Sequence, residues 1–311
     1  MTQDSKETLQ FLETNNVDLI LMDYYLNDCT GFDLGRIVYA KYSIPIIIIS
    51  AKNIEEFPID SANYTFILDI LQKPYSKFGI DEDRIHEFFQ RIEKYALLSE
   101  PISNINTPIH IPEYPKRWTP NKDPLVCIGA STGGLEAISL IIKELPSSIE
   151  APIVIILHIP PNFVASAIYQ WNSISKIPVK SISSGEKLQL ATIYISSENQ
   201  HVELTSSGKF CLTPGCEVNG FCPSISVLFQ SLLTRQFTRK CMAILLTGLG
   251  RDGALELNEI KKEGGETVVQ DEESCVVFGM GKRALSYGKP SHYVSLSRIA
   301  SLTKNFANAK R

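Results

Sequence analysis

Residues 125–143 read LVCIGASTGGLEAISLIIK, and this stretch decides the fold. Residues 125–128 form a short apolar run of the kind that builds a buried parallel strand. A glycine-rich turn follows, and residues 134–143 carry leucine and isoleucine at the spacing of an amphipathic helix. A strand, a tight turn and a helix in this order predict an open parallel α/β sheet. Such sheets bind ligands at the carboxyl ends of their strands, which is where this turn lies.

The same alternation of apolar runs and amphipathic stretches extends along the chain in both directions. Further strands are predicted at residues 17–22, 46–49, 64–71, 153–157 and 242–246. Helices are predicted at residues 6–15, 31–41 and 81–98. Helices alternating with short apolar strands are typical of doubly wound sheets, so we predict the α/β class throughout.

A proline-rich stretch divides this pattern in two. Residues 100–124 contain six prolines and little apolar periodicity, as an extended linker would. At 311 residues the chain also exceeds the usual size of one domain. We therefore predict an N-terminal domain over residues 1–98, a linker over 99–123 and a C-terminal domain over 124–304.

Composition excludes several classes of protein. A net charge of −4 gives no reason to expect a nucleic-acid partner. Seven cysteines, an odd number, do not form the spacing of a disulfide framework or a zinc site. The N-terminus has no apolar signal segment, and the longest apolar run, 44–49, is too short to span a bilayer. We expect a cytoplasmic protein that is not inserted in a membrane.

Ser131 is the first candidate for chemistry. Residues 129–133, GASTG, fit the G-x-S-x-G pattern, in which small neighbours let a serine stand exposed on a strand-to-helix turn. Backbone N–H groups at the start of the helix could stabilise a developing oxyanion. Glycine-rich turns also bind phosphates or merely turn the chain. A dinucleotide site is disfavoured because the GxGxxG pattern is absent.

His158 and Asp252 complete a candidate triad. His158 ends the predicted strand 153–157, at the same sheet edge as Ser131, where it could accept the serine proton. His201 lies in a polar stretch and is the weaker candidate. Asp252 follows the strand 242–246 and could orient the imidazole, although it could also cap the helix predicted at 254–262.

Five segments of the C-terminal domain resemble the chemotaxis protein-glutamate methylesterases. They are IGASTGGLEAI (128–138), ILHIPPNF (156–163), FCPSISVLF (221–229), LLTGLGRDGA (245–254) and ESCVVFGM (273–280). The resemblance implies a triad of Ser131, His158 and Asp252. It implies hydrolysis of glutamyl methyl esters on the cytoplasmic helices of chemoreceptors, deamidation of receptor glutamines, and no cofactor for hydrolysis. Thr132 becomes a candidate oxyanion donor, and Leu249 occupies a position where the family usually has Met.

The N-terminal domain resembles the receiver domain of response regulators, which has a flavodoxin-like fold. Asp23 matches the phospho-accepting aspartate of a phosphorelay, Ser50 matches the hydroxyl residue after the fourth strand, and Lys73 matches the phosphate-contacting lysine. The resemblance implies a histidine kinase as partner. The first strand, first helix and second strand of a receiver are not found. The acidic pair that binds Mg²⁺ in a receiver follows that first strand, so it is not found either. Phosphorylation of Asp23 would depend on that cation.

Two other classes of function remain open at this point. A signalling adaptor could keep this fold and bind receptors or a kinase without catalysis. A nucleotide-binding module could use the GASTGG turn. The intact triad argues against the adaptor, whereas the incomplete receiver domain favours it.

Overall fold

The structure, a computed structural model, describes residues 2, 4–27, 29–51, 67–76, 79–80, 82–98, 116–196 and 200–309. These residues form two compact units, one within residues 1–98 and one within residues 116–309. No helix in these described ranges is long and apolar enough to cross a membrane.

The first unit is built on a parallel sheet of three strands. They are β1 (Ile20–Asp23), β2 (Ile46–Ser50) and β3 (Ile67–Gln72), paired in the order β1-β2-β3, with a short antiparallel hairpin of β4 (Tyr75–Ser76) and β5 (Gly79–Ile80). Its helices are α1 (Ser5–Thr14), α2 (Gly31–Tyr42) and α3 (Glu82–Leu98). Ile46, Ile47 and Ile48 of the central strand β2 are all buried. A strand that is covered on both faces needs apolar side chains at consecutive positions, and the isoleucine run supplies them.

The second unit is built on a seven-stranded sheet in which every pair of neighbours is parallel. In sheet order the strands are β14 (His292–Val294), β13 (Glu266–Gln270), β12 (Cys241–Leu245), β6 (Leu125–Ala130), β7 (Ile153–Leu157), β9 (Ile193–Ile195) and β8 (Val179–Ser181). A separate antiparallel hairpin consists of β10 (Gln200–Leu204) and β11 (Phe210–Pro214).

Helices cover this larger sheet. They are α4 (Gly134–Glu144), α5 (Pro161–Ile174), α6 (Ile225–Thr234), α7 (Ala254–Lys262), α8 (Gly279–Tyr287) and α9 (Leu296–Ala307). One face of the sheet shares a core with α6, α7, α8 and the β10–β11 hairpin, while α4 packs against α5 and α9. All six residues of β6 are buried, as expected for a central strand that is covered on both faces.

The predicted α/β class is confirmed, and the predicted strands and helices are found within a few residues of their expected ends. The strand predicted at 64–71 begins at Ile67 among the described residues, and residues 64–66 lie outside them. Most of the predicted linker, residues 99–115, also lies outside them.

Candidate active site

Ser131 stands on a sharp turn at the carboxyl end of β6. Its backbone N–H donates to Thr247 O (3.0 Å), and its carbonyl accepts from Gly134 N–H at the start of α4 (2.7 Å). A Cβ on Gly248 would come within 2.6 Å of Ser131 Cβ, so only glycine allows the loop after β12 to approach so closely. Within the described residues, the hydroxyl of Ser131 makes no hydrogen bond to protein, which leaves it available to a substrate.

Thr132 begins the turn that leads into α4. Its carbonyl accepts a hydrogen bond from the Thr247 hydroxyl (2.9 Å), which fixes the orientation of the peptide. No acceptor in the described part of the chain bonds the backbone N–H groups of Thr132 and Gly133. These two groups lie just before the N-terminus of α4, where the helix dipole favours negative charge. They can therefore serve as oxyanion donors.

His158 lies beside Ser131 across the sheet. The register pairs Ala130 with Leu157, so the residues that follow, Ser131 and His158, are neighbours on adjacent strands. The His158 backbone N–H donates to Ala130 O (3.0 Å), which carries the β6–β7 pairing one residue past the strand end. The ring is buried, and its Nδ1 has no hydrogen-bond partner among the described residues. Nδ1 is thus not engaged by any other described group.

The imidazole and Asp252 meet inside the protein. His158 Nε2 lies 3.1 Å from Asp252 Oδ2, and both side chains are almost fully buried. This is ion-pair distance, but the ring N–H does not point closely enough at the oxygen to form a well-aligned hydrogen bond. The carboxylate therefore contacts the ring without defining its plane.

Asp252 is held by four donors from the segment that leads into α6. Its Oδ1 accepts from Ser224 Oγ (2.6 Å), Asn219 Nδ2 (3.2 Å) and Ser226 N–H (3.1 Å), and its Oδ2 accepts from Ile225 N–H (2.6 Å). Two of these donors are backbone groups at the N-terminus of α6, which is a favourable site for an anion.

These contacts decide the charge of the carboxyl group. Burial by itself would raise the pKa of Asp252, but the contact and charge of His158, the Ser224 hydroxyl and the Ile225 N–H outweigh it. The pKa of Asp252 is lowered from its usual value. Asp252 is therefore an anion at neutral pH, as a group that stabilises an imidazolium must be.

The alternative that Asp252 caps the helix following it is wrong. That helix, α7, begins after Gly253, and no side chain bonds its first N–H groups. Asp252 caps α6 instead. Gly253 makes this possible, because it has a φ of 79° and a Cβ there would lie 2.4 Å from Ile225 Cγ2. Asp252 does not cap α7 because the tight turn at Gly253 directs its carboxylate away from that helix.

Three site residues were not singled out from the sequence, namely Asn219, Phe221 and Ser224. Phe221 stacks on His158, with ring centroids 3.7 Å apart and planes 7° apart. The Asn219-Gly220 dipeptide is a turn signal, and a serine just before an apolar helix is an N-cap signal. These signals could have marked the segment, although neither shows that it contacts Asp252.

His201 and Leu249 lie nearby in different settings. His201 is buried on β10, where Nδ1 accepts from Ser224 N–H (3.2 Å) and Nε2 bonds to Cys216 O (3.0 Å), so it holds a loop. Leu249 is buried in the glycine-rich segment after β12, and a Cβ on Gly279, at the start of α8, would lie 3.2 Å from Leu249 Cα.

The first unit brings together its own three predicted residues. Asp23 ends β1 and forms an ion pair with Lys73, and Lys73 N–H donates to Ser50 O (2.7 Å). Mg²⁺ takes oxygen ligands, usually one or two carboxylates together with phosphate oxygens and water. Among the described residues, no group of three or more His, Cys, Asp or Glu side chains could hold a metal ion. Of the three residues brought together at this edge, only Asp23 carries a carboxylate, and that carboxylate is paired with Lys73, so these residues do not by themselves form the acidic pair of a Mg²⁺ site.

Both units are similar to known protein families. Residues 126–303 match the CheB methylesterase family, and residues 1–83 match the response regulator receiver domain. A crystal structure of the Thermotoga maritima CheB methylesterase catalytic domain superimposes with a TM-score of 0.57 and 31% identity. It covers 59% of this chain and 98% of the Thermotoga chain.

Full-length relatives align along nearly the whole chain. A Shewanella protein named protein-glutamate methylesterase/protein-glutamine glutaminase 2 is 31% identical over 325 residues, which cover 100% of this chain and 91% of the relative. A Pyrococcus abyssi protein named protein-glutamate methylesterase/protein-glutamine glutaminase is 29% identical, covering 96% of this chain and 83% of the relative. The resemblance drawn from the sequence is confirmed, and the chain belongs to the CheB methylesterase family.

Proposed function

We propose that the second unit hydrolyses glutamyl methyl esters on the cytoplasmic helices of chemoreceptors, with Ser131 as nucleophile. The observation that carries the proposal is the buried pair of His158 and Asp252 beside Ser131 at one sheet edge. The names of the relatives and the family match support the substrate class.

The chemistry follows from the position of each group. Ser131 Oγ attacks the ester carbonyl carbon while its proton passes to His158 Nδ1. Asp252 stabilises the imidazolium, and the N–H groups of Thr132 and Gly133 stabilise the oxyanion. Collapse of the tetrahedral intermediate breaks the bond to the methoxy oxygen, which takes the proton from His158 and leaves as methanol. Water then attacks the acyl-enzyme, releasing the glutamate carboxylate and regenerating Ser131.

The same steps would deamidate a receptor glutamine, with ammonia as leaving group in place of methanol. Both reactions are acyl transfers that one nucleophile and one general base can carry out. No cofactor is needed for any step of this scheme. Buried Leu249, close to the nucleophile loop, is proposed as part of the apolar surface beside the substrate.

For the first unit we propose a regulatory role that is linked to a cytoplasmic histidine kinase. Contact between Asp23 and Lys73, with Ser50 beside them, supports Asp23 as the phosphorylated residue. Because these three residues do not by themselves form the acidic pair of a Mg²⁺ site, we propose the acceptor residue alone and no mechanism of phosphoryl transfer to it. The boundaries 1–98, 99–123 and 124–304 remain our proposal for the domain division.

The hydrolysis is tested by methanol release from a methylated chemoreceptor cytoplasmic fragment. We expect release by the native chain and none above background by Ser131→Ala, because no other group supplies the acyl-enzyme. Ser184→Ala, an exposed serine on a turn, is the matched control and should retain native activity. Equal release by Ser131→Ala and the native chain would contradict the proposal, and no release by either would favour the adaptor.

A further inference from the structure

The contacts made by Asp252 leave the plane of the His158 ring undetermined. The carboxylate touches one corner of the ring, at Nε2, without a well-aligned hydrogen bond, and Nδ1 has no partner in the described part of the chain. A ring held at one corner can pivot about the line from its Cβ to that corner. A pivot would displace Nδ1, the atom that must accept the Ser131 proton.

Phe221 supplies the missing constraint. Its ring lies parallel to the imidazole, 7° from coplanar and with centroids 3.7 Å apart, which is van der Waals contact over the whole ring face. Phe221 is 2% exposed and His158 is 4% exposed, so neither ring can move aside into solvent. A pivot of the imidazole would drive its edge into the phenyl ring.

Phe221 is itself held by the segment that binds Asp252. Reciprocal backbone hydrogen bonds join Val218 and Phe221 (3.0 and 3.1 Å), which closes a tight turn. His201 bonds both Cys216 O and Ser224 N–H, and so anchors this segment on either side of the turn. Ser224 in turn donates to Asp252. One segment therefore contacts both the imidazole of His158 and the carboxylate of Asp252.

We propose that Phe221 is a positioning residue that sets the plane of the His158 imidazole and keeps Nδ1 available to Ser131. This inference rests on the proposed function of the second unit, since it assigns His158 as the general base. Phe221 acts only through His158 and has no covalent role.

The first test is spectroscopic and needs no substrate. Ring protons of His158 above the phenyl face should be shifted upfield by its ring current in the NMR spectrum of the native chain. The shift should disappear in Phe221→Leu, and the His158→Gln spectrum assigns the signals. His158 signals that do not change between the native chain and Phe221→Leu would overturn the proposal.

The second test follows the rate at which a fluorophosphonate probe labels Ser131 in the full chain. Misplacing a catalytic group by about 1 Å can cost about a hundredfold, so Phe221→Leu should label about ten- to a hundredfold more slowly. Phe221→Tyr keeps the flat ring and should recover most of the rate. With an ester substrate, kcat should fall in Phe221→Leu while KM stays unchanged, because Phe221 is covered by His158.

Phe237→Leu is the matched control. Phe237 is also 2% exposed in the same unit, but its ring stacks edge-to-face on Trp118 (5.5 Å) and not on the site. The Phe237→Leu variant should be less stable than the native chain and should keep the native labelling rate. Native-like labelling by Phe221→Leu, or no recovery in a folded Phe221→Tyr, would overturn the proposal. If the native chain labels but releases no methanol from receptor, the proposed substrate fails, while the NMR and labelling results still decide the role of Phe221.

Discussion

Asp252 is the residue whose environment is most tightly specified. Four donors hold its carboxylate at the N-terminus of α6 while His158 contacts the same group. The carboxylate thus contacts one corner of the His158 ring and anchors the loop that carries Phe221. A neutral amide could satisfy only some of these donors, since it has one acceptor oxygen in place of two.

Asp252→Asn should therefore destabilise the second unit by about 2–3 kcal/mol at neutral pH, the scale of buried hydrogen bonds to a charge. Because folding lowers the pKa of Asp252, its contribution is full above the ordinary carboxyl value of about 3.9. The contribution is lost as the pH falls through the lowered value. Urea unfolding at a series of pH values measures it. A stability difference that stays constant into strong acid would contradict the assignment.

At the level of elements, β3 and α3 of the first unit are joined by a buried ion pair. Asp69 on β3 is fully buried and accepts from Arg91 Nη2 (2.6 Å) and the Tyr95 hydroxyl (3.0 Å), both on α3. Burial raises the pKa of Asp69, and Arg91 and Tyr95 counteract it only in part. These contacts link the helix to the sheet.

Arg91→Met should open β3 locally, because it leaves a carboxyl group buried without its cation. Breaking a buried pair costs about 3–5 kcal/mol, and the partial exposure of Arg91 places the expected cost lower, at about 2–3 kcal/mol. Hydrogen exchange of the β3 amides measures the opening. Lys41→Met removes an exposed partner of Glu13 in the same unit and should leave that exchange unchanged. Equal exchange in the native chain and Arg91→Met would refute the expected opening.

The sequence predicted those elements whose pattern is local. The isoleucine run of β2 and the strand-turn-helix around Ser131 are continuous in the chain, so their periodicity identified them. Ser131, His158 and Asp252 could also be placed, because each follows an apolar strand at the same sheet edge. The roles of Phe221, Asn219 and Ser224 could not be predicted. They depend on how the turn before α6 lies against the residues that follow β7 and β12, and no local pattern in the sequence specifies that.

At the scale of the whole molecule, the two α/β units place their candidate functional residues in the same way. In each unit, the candidate functional side chains lie at the carboxyl edge of a parallel sheet. They are Asp23, Ser50 and Lys73 in the first unit. In the second unit they are Ser131, His158 and Asp252. The second unit has its own large core, which includes the residues that hold the site. The three residues that we propose for catalysis all lie within its described residues 116–309.

The central claim is that Ser131 is the nucleophile of a hydrolase, and mass spectrometry of the fluorophosphonate-treated full chain tests it most directly. We expect a single adduct on the peptide that contains Ser131, formed far more slowly in His158→Gln, because the imidazole accepts the serine proton. No adduct on that peptide, or an adduct on another serine that is equally strong in Ser131→Ala, would contradict the account.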